Sequence, residues 1–407
     1  MRIATSKQLT DVLHQLDLLA SEQLAQLSLL ARERPDAPDL AKLLVQRDWL
    51  TVYQMNQLLS GLGKNLVIGA YHVLDQLGQG GLSQVFKARH SRHGWVVALK
   101  VLRREALAND EGRQQFLQEM EAMARLNHPN VVQFCDVDQS GDTFHYAMEF
   151  VNGTDLGKYV RLTGPLPVAE ACDYIRQTAL GLQHAHEHNL VHRDIKPVNL
   201  FLTHPDSQKK PVVKILDWGL ASLRCPTSVS GQQLLEHMSK GVVGTADYLS
   251  PEQGRHAQTV DIRGDIYSLG CTFFYLLTGE PPFPEGTLMQ KILQHQTMEP
   301  ESIDTFREDV PSGVTAVLKR MLAKQPEARF QTPAAIALAL TPFARDDRKP
   351  VRRKRTQSTR QLPSRRDDTP LPESLGGKPG KPNARLPKAG PLRSPHHGPD
   401  TSCPYVS

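Results

Sequence analysis

The order in which apolar segments follow one another constrains the fold of this chain most. Three short strand-like runs come first in the central region, at residues 71–77, 84–88 and 95–101, and a helical segment follows at residues 111–126. Beyond Asp155, apolar residues recur mainly at helical spacing. This segregation of strands from helices favours a bilobal α+β protein, with a small β-rich lobe followed by a larger helical lobe.

The segment that precedes this region, residues 1–65, is predicted to be a helical accessory region. Its leucines recur at the three- and four-residue intervals of amphipathic helices. Thr51 and Gln54 have the spacing of a capping box, which predicts that the last of these helices begins there. Gly61 and Gly63 are predicted to end it, because glycine readily adopts the conformation that terminates a helix.

The last part of the chain, residues 344–407, differs sharply in composition. It is rich in Pro, Lys, Arg, Gly and Ser and nearly lacks large apolar residues. From residue 346 onward it carries 14 Lys and Arg against 6 Asp and Glu, a net charge of +8, whereas the whole chain carries +5. Such a segment buries too little apolar surface to offset the entropy of ordering, so we expect a basic, Pro-rich disordered tail.

Cysteine usage and hydropathy indicate a cytoplasmic protein. The five cysteines form no CxxC pair, which argues against a zinc site or a disulfide framework. The first 30 residues lack the continuous apolar segment of a signal peptide. The longest apolar stretch, around residues 269–277, is far shorter than the roughly 20 residues that a membrane span needs, so no transmembrane segment is expected.

A glycine-rich turn joins the first two strand-like runs. It comprises Leu77, Gly78, Gln79, Gly80, Gly81, Leu82, Ser83, Gln84 and Val85. Glycines let backbone N–H groups approach phosphate oxygens without an intervening Cβ, although similar turns occur in ordinary hairpins. Lys100 lies near the end of the third run, 20 residues after Gly80, where a returning strand would bring it near the phosphates. Glu119 is the expected ion-pair partner of Lys100, and Glu121 is the competing candidate.

The strongest indication of chemistry is one short block. It reads His192-Arg193-Asp194-Ile195-Lys196-Pro197-Val198-Asn199. Asp194 is suited to accept the proton of an attacking hydroxyl, and Lys196 to neutralise a moving phosphoryl group. Asn199 and Asp217, which follows it by 18 residues, offer oxygens to Mg²⁺ or Mn²⁺. Phosphate positioning, a lysine, metal-binding oxygens and an oriented nucleophile together predict phosphoryl transfer from ATP.

From residue 71 to residue 343 the combined motifs resemble those of the eukaryotic-like (Hanks-type) serine/threonine protein kinases. The Gly80-Gly81 pair and the helical preamble resemble the bacterial branch, and Lys196 and Thr245 match the Ser/Thr pattern. The resemblance implies the bilobal protein-kinase fold. It also implies ATP-dependent phosphorylation of serine and threonine on protein substrates, including autophosphorylation of the activation segment.

The resemblance also assigns the site residues. Those in catalytic positions are Lys100, Glu119, Asp194 and Lys196. Those expected to bind ATP are the glycine-rich turn and Lys100, together with Ala98, Met148, Glu149 and Val151. Those expected to bind the metal are Asn199 and Asp217. Further matches are Ser250-Pro251-Glu252 at the end of the activation segment, Asp265 on a helix that anchors the catalytic loop, and Arg329 as the partner of Glu252.

Two residues depart from the family pattern. Ser83 stands where the third glycine of the turn is usual, so the tip of the loop is expected to approach phosphate less closely. Trp218 replaces the usual phenylalanine after the metal-binding aspartate. Because tryptophan is also large and apolar, we expect a changed inactive state rather than lost chemistry.

The activation segment carries several hydroxyls that could be phosphorylated. The candidates are Thr227, Ser228, Ser230, Ser239 and Thr245. In the family, the arginine before the catalytic aspartate, here Arg193, commonly contacts such a phosphate. A phosphate adds nearly two negative charges and three strong acceptor oxygens, which can order a loop against an arginine. Thr245 matches a position that orients the catalytic loop instead.

Two other functions remain open on the sequence. A pseudokinase scaffold would bind partners without catalysis, but its usual mark is the loss of a residue equivalent to Lys100, Asp194 or Asp217, all of which are present. The basic run at residues 352–355 could also make weak electrostatic contact with nucleic acid or an anionic surface. It lacks interleaved aromatic residues for base stacking.

Overall fold

The computed structural model describes residues 3–81, 83–103, 110–141, 143–203, 210–218, 246–255 and 260–344. Four helices come first: α1 (Ser6–Leu16), α2 (Ser21–Glu33), α3 (Ala37–Gln46) and α4 (Val52–Leu59). The predicted capping box begins α4, since the side chains of Thr51 and Gln54 each accept a backbone N–H from the other. Gly61 follows the helix with φ 76°, in the left-handed region that glycine favours, so the prediction of where this helix ends is confirmed.

A six-stranded antiparallel sheet follows these helices. Its strands are β1 (Val67–Ile68), β2 (Tyr71–Gln79), β3 (Ser83–His90), β4 (Val96–Leu102), β5 (Phe134–Ser140) and β6 (Thr143–Glu149), in the order β1-β2-β3-β4-β6-β5. Helix α5 (Asp110–Met123) lies between β4 and β5 in sequence and ends a little before the predicted residue 126. Residues 67–149 form the small lobe.

Helices dominate the remaining described chain, residues 150–344, which form the helical lobe. The helices are α6 (Leu156–Thr163), α7 (Val168–Glu187), α8 (Ile262–Thr278), α9 (Leu288–Thr297), α10 (Ile303–Phe306), α11 (Ser312–Met321) and α12 (Pro333–Leu340). A small sheet of β7 (Gly153–Asp155), β8 (Leu200–Thr203) and β9 (Val213–Ile215) lies among them. Helix α8 is buried over nearly its whole length, as expected of a helix that is apolar on all sides.

Two apolar clusters hold these parts together. The larger one runs from Ala98 in β4 through α7 to α8, so it joins the two lobes. The other joins the four N-terminal helices to the sheet through Val73 and Phe86. No helix within the described ranges is long and apolar enough to cross a membrane. The predicted fold class, a β-rich small lobe followed by a helical lobe, is confirmed.

Candidate active site

Lys100 lies in the middle of the large sheet and reaches across to the second lobe. Its neighbours in the register are Val85 on β3 and Tyr146 on β6. Its Nζ lies 2.6 Å from Oδ1 of Asp217, and its side chain is 2% exposed. A buried ammonium group is costly unless it is paired, so this ion pair fixes the Asp217 carboxylate relative to β4.

The predicted partner of Lys100 was a glutamate of helix α5. Glu119 lies on that helix and is half-buried. The competing candidate, Glu121, accepts from Arg125 at 2.9 Å on the exposed side of the same helix. The role of Glu119 stays a prediction, whereas the side chain of Glu121 pairs with Arg125, two residues beyond the end of the same helix.

Asp194 and Lys196 form the second ion pair of the site. Nζ of Lys196 lies 2.9 Å from Oδ1 of Asp194, and both side chains are largely buried. Asn199 adds two bonds through its amide nitrogen, to the backbone oxygen of Asp194 at 2.8 Å and to Oδ2 at 3.2 Å. The carboxylate of Asp194 is thus held from both sides, by an ammonium group at one oxygen and by an amide at the other.

Asp265 anchors the backbone of this loop from helix α8. Its two carboxylate oxygens accept the N–H groups of His192 and Arg193, each at 2.7 Å. Arg193 has φ 63°, a left-handed conformation that is rare for a residue with a side chain and that these two bonds help to hold. Complete burial raises the pKa of Asp265, and the hydrogen bonds that it accepts oppose that shift.

His192 connects the same loop to the end of β9, a role that the sequence did not reveal. Its Nδ1 accepts the N–H of Asp194 at 3.2 Å, and its Nε2 lies 2.8 Å from the carbonyl oxygen of Leu216. The carbonyl can only accept, so these two bonds together require the tautomer with the proton on Nε2. Gln253 was also missed, and its side chain donates to the carbonyl of Arg193 at 2.7 Å.

Asn199 and Asp217 are brought together by backbone pairing. The N–H of Leu216 donates to the carbonyl of Asn199 at 2.9 Å, and Leu200 faces Ile215 across the small sheet. Within the described residues, Asn199 makes its side-chain hydrogen bonds through the amide nitrogen, so the amide oxygen remains as a ligand atom. An amide oxygen and a carboxylate are hard donors of the kind that Mg²⁺ prefers.

This pair of ligands is too few to hold a metal ion alone. Across the described residues, no three side chains of His, Cys, Asp or Glu are close enough to form a metal site. Mg²⁺ commonly binds through one or two protein oxygens together with substrate phosphates and water. The donor set at Asn199 and Asp217 therefore fits a metal ion that arrives with a nucleotide.

Trp218, the residue after Asp217, is buried in the apolar core. The indole is 2% exposed, and its Nε1–H donates to the carbonyl of Ile215 at 3.3 Å. Its ring meets the imidazole of His192 edge to face, with 4.7 Å between the centroids. The tryptophan thus packs against the loop that carries Asp194, and it leaves the charged groups of the site in place.

Two glycines of the glycine-rich turn, Gly78 and Gly80, have open space beside them among the described residues. The N–H of Gly80 donates to the carbonyl of Ser83 at 2.8 Å and closes the turn. A Cβ added at Gly78 would meet no described atom within 4 Å, and one at Gly80 would come no closer than 3.7 Å to any. Packing within the described protein therefore does not require glycine at these positions. The close approach of a ligand to the backbone would require it. Leu82 lies outside the described residues.

The residues predicted to surround adenine share one apolar surface. Ala98 and Met148 face each other across β4 and β6 and belong to the large cluster, on which Val85 and Val151 also pack. Glu149, at the end of β6, forms an ion pair of 2.8 Å with Lys214 on β9. An apolar surface beside a chain segment with backbone polar groups is typical of sites for planar ligands.

The predicted pair of Arg329 and Glu252 is present. It is bidentate, with distances of 2.6 and 2.8 Å. The remaining N–H donors of Arg329 bind the carbonyls of Ala323, Arg263 and Lys324, so all five donors of this fully buried guanidinium are used. The five predicted phosphorylation candidates, residues 227, 228, 230, 239 and 245, lie outside the described residues.

Residues 71–340 of the chain match the protein kinase domain family. The chain belongs to this family. It is 36% identical over 268 residues to the serine/threonine-protein kinase PknB of Mycolicibacterium smegmatis, an alignment that covers 65% of this chain and 41% of PknB. It is 32% identical over 271 residues to the serine/threonine-protein kinase PrkC of Bacillus subtilis, covering 67% of this chain and 40% of PrkC.

The solved structures give the same result. The PknI kinase domain of Mycobacterium tuberculosis superposes on this kinase domain with a TM-score of 0.53 and 28% identity, covering 68% of this chain and 98% of that one. The resemblance to bacterial Ser/Thr kinases is therefore confirmed. The chain spans about two fifths of the length of the curated relatives it matches, so the comparison concerns the kinase domain.

Proposed function

We propose that this chain transfers the γ-phosphoryl group of ATP to serine and threonine hydroxyls of protein substrates. The observation that carries the proposal is two ion pairs, Lys100 with Asp217 and Asp194 with Lys196, the second of which Asn199 also bonds. Their positions support phosphate binding at the sheet and activation of a hydroxyl at the loop. A pseudokinase scaffold would not need both pairs.

Each group has a distinct task in this proposal. Asp194 orients the substrate hydroxyl and accepts its proton as the oxygen–phosphorus bond forms and the bond to the ADP oxygen breaks. Lys196, 2.9 Å from Asp194, stabilises the negative charge on the phosphoryl group as it is transferred. Lys100 binds phosphate oxygens of ATP, and the glycine-rich turn covers them with backbone N–H groups.

Asn199 and Asp217 would hold the divalent cation that the family uses with ATP. Mg²⁺ and Mn²⁺ both fit, because the two side chains offer oxygen ligands of the kind that each ion prefers. When bound, the cation supplies positive charge next to the phosphate oxygens and lowers the repulsion of an incoming hydroxyl. Lys100 keeps the Asp217 carboxylate in position for this contact.

The direct test is an assay of the purified full chain with radiolabelled ATP, Mg²⁺ and a generic basic protein substrate. We expect incorporated phosphate on serine and threonine only, as found by phosphoamino-acid analysis. Chelation of the divalent cation should abolish incorporation. Predominant phosphotyrosine would contradict the proposed residue class. Nucleotide binding without any transfer would favour the scaffold function instead.

A second prediction concerns the phosphate contact. Replacing Lys100 by methionine removes the ammonium but keeps most of the buried volume, so kcat/KM for ATP should fall by about 10²-fold or more. Lys42→Met is the control, because Lys42 is an exposed partner of Asp39 on α3. The variants are compared in kinase assays and in calorimetric titrations with Mg·ADP. Equal affinities for wild type and Lys100→Met would remove Lys100 from the proposed site.

The proposal includes control by autophosphorylation of the activation segment. One of Thr227, Ser228, Ser230 and Ser239 would carry the phosphate, and Arg193 would be its partner. Mass-spectrometric mapping of phosphosites, with and without ATP, identifies the residue. Replacement of all four by alanine should lower kcat on an external substrate. If neither this change nor phosphatase treatment alters activity, this control does not operate.

Two lesser parts of the proposal rest on sequence alone. The reduced state expected of the five cysteines supports action in the cytoplasm. The basic tail would make weak contacts with nucleic acid or another anionic surface through residues 352–355. Binding of DNA that falls steeply with salt, and that disappears when residues 345–407 are deleted, would support the second part. Binding that is independent of the tail would oppose it.

A further inference from the structure

The start of helix α4 is bonded to the strand that leads into the glycine-rich turn. The Nε2–H of Gln54 donates to the carbonyl of Val73 at 2.8 Å, and the hydroxyl of Thr51 donates to the carbonyl of Leu74. Both acceptors belong to β2. The same two side chains form the capping box of α4, so each serves the helix and the strand at once.

The part of β2 that accepts these hydrogen bonds pairs irregularly with β3. The register with β3 shifts between Val73 and Asp75, so Leu74 has no opposite residue there, and a second irregularity lies between Gln76 and Gly78. Bulges of this kind bend a strand and increase its twist, and they set the direction of the chain beyond them. The hydroxyl of Thr51 therefore satisfies a carbonyl that lies at a bulge.

The contact between α4 and β2 is firmly supported by packing. Gln54 is 4% exposed, and its amide oxygen and nitrogen are used at the same time, by Thr51 and by Val73. Around it, Met55 and Leu58 of α4 share an apolar cluster with Val73 and Phe86 of the sheet. The helix therefore cannot slide along the strand without opening both the cluster and the hydrogen bonds.

We propose that Gln54 and Thr51 are positioning residues for the nucleotide, acting through the bulge of β2. Leu74 lies four residues before Gly78, a distance of about 13 Å along a strand. Fixing the strand at the bulge fixes the height at which the glycine-rich turn lies over the phosphates. The inference rests on the proposed kinase function, and it gives the N-terminal helices a part in nucleotide binding.

A matched pair of variants tests this role. Gln8 caps α1 as Gln54 caps α4, but it is only partly buried and, within the described chain, its side chain bonds only Ala4 and Thr5. Gln54→Met should raise KM for ATP by about threefold to tenfold and leave kcat and KM for the protein substrate within about twofold. Gln8→Met removes an equivalent cap and should leave all three constants unchanged. The dissociation constant of Mg·ADP, measured by calorimetry, should rise in the first variant alone.

Two further variants test the two strand bonds one at a time, and the first of them keeps the helix cap. Gln54→Glu keeps an acceptor for the N–H of Thr51, as in the common form of the capping box, but has no donor for Val73. Thr51→Val removes the hydroxyl with little change in shape, and with it both the bond to Leu74 and the cap bond from the N–H of Gln54. Both should weaken Mg·ADP binding as Gln54→Met does. If Gln54→Met does not fold, Gln54→Glu provides the decisive measurement, because it keeps the acceptor for the N–H of Thr51.

The outcomes distinguish this inference from the proposed function. Equal effects of Gln54→Met and Gln8→Met on nucleotide binding would overturn the positioning role. So would a loss of thermal stability in the variants with no change in Mg·ADP affinity. A wild-type chain that binds Mg·ADP but transfers no phosphate would refute the kinase function, while the comparison of Mg·ADP affinities would still test the positioning role.

Discussion

Replacing Asp194 by asparagine is expected to lower kcat by about 10²- to 10⁴-fold and to leave Mg·ATP affinity nearly unchanged. An asparagine oxygen can still accept from Lys196, so the loop keeps one of its contacts. Its amide nitrogen, however, cannot take a proton, and it would face the amide nitrogen of Asn199, which is also a donor. The proposed base is lost while the bonds of Asp265 keep the loop in place.

Steady-state kinetics with both substrates measure this effect. The matched control is Asp39→Asn, which makes the same chemical change at an exposed ion pair on α3 and should retain wild-type kcat. Thermal unfolding of each variant shows whether the loop variant is folded. Turnover near the wild-type rate in a folded Asp194→Asn variant would assign the base to another residue.

Loss of the Arg329 guanidinium is expected to be the largest change in stability. Arg329→Met should lower the free energy of unfolding by about 3–5 kcal/mol, because the Glu252 carboxylate and three backbone carbonyls lose their partner inside the protein. Arg329→Lys should also be strongly destabilised, because an ammonium cannot reproduce the planar fork that binds both carboxylate oxygens. Urea denaturation gives these free energies.

A similar arginine on the surface provides the control. Arg263 forms ion pairs with Asp261 and Glu327, but its side chain is 24% exposed and that of Glu327 is 72% exposed. Arg263→Met should therefore cost no more than about 1 kcal/mol. A double variant, Arg329→Met with Glu252→Met, should recover part of the loss, since no unpaired buried charge remains. Equal costs for the two single arginine variants would show that burial does not govern this pair.

Local features of the fold follow directly from the sequence. The capping box at Thr51 and Gln54 begins a helix because its hydrogen bonds join residues three apart, and such spacing can be read from any sequence. The predicted strands of residues 71–77, 84–88 and 95–101 lie within or overlap β2, β3 and β4, because their apolar residues pack on both faces of the sheet. The residues of the block around Asp194 likewise lie close together, because they belong to one loop.

Contacts between distant residues could not be predicted from spacing. The ion pair between Lys100 and Asp217 joins residues 117 positions apart, and it depends on how the two lobes pack. The bond from Gln54 to Val73 depends on a bulge in β2, and no sequence pattern marked that bulge. The domain limits at residues 65, 71 and 343 stay predictions. The first of them does not separate two apolar cores, because α4 and β2 share one apolar cluster across it.

The buried indole of Trp218 has a consequence for inhibitor selectivity. A compound that enters the cleft by turning this side chain out must expose about 200 Å² of aromatic surface, at a cost of about 5 kcal/mol. It must also break the bond from Nε1 to the carbonyl of Ile215 and the contact with His192. Such compounds should therefore lose affinity by about three orders of magnitude or more, unless they refill the space. Ligands that leave the indole in place avoid this cost, so they are the better starting point for inhibitors of this kinase domain.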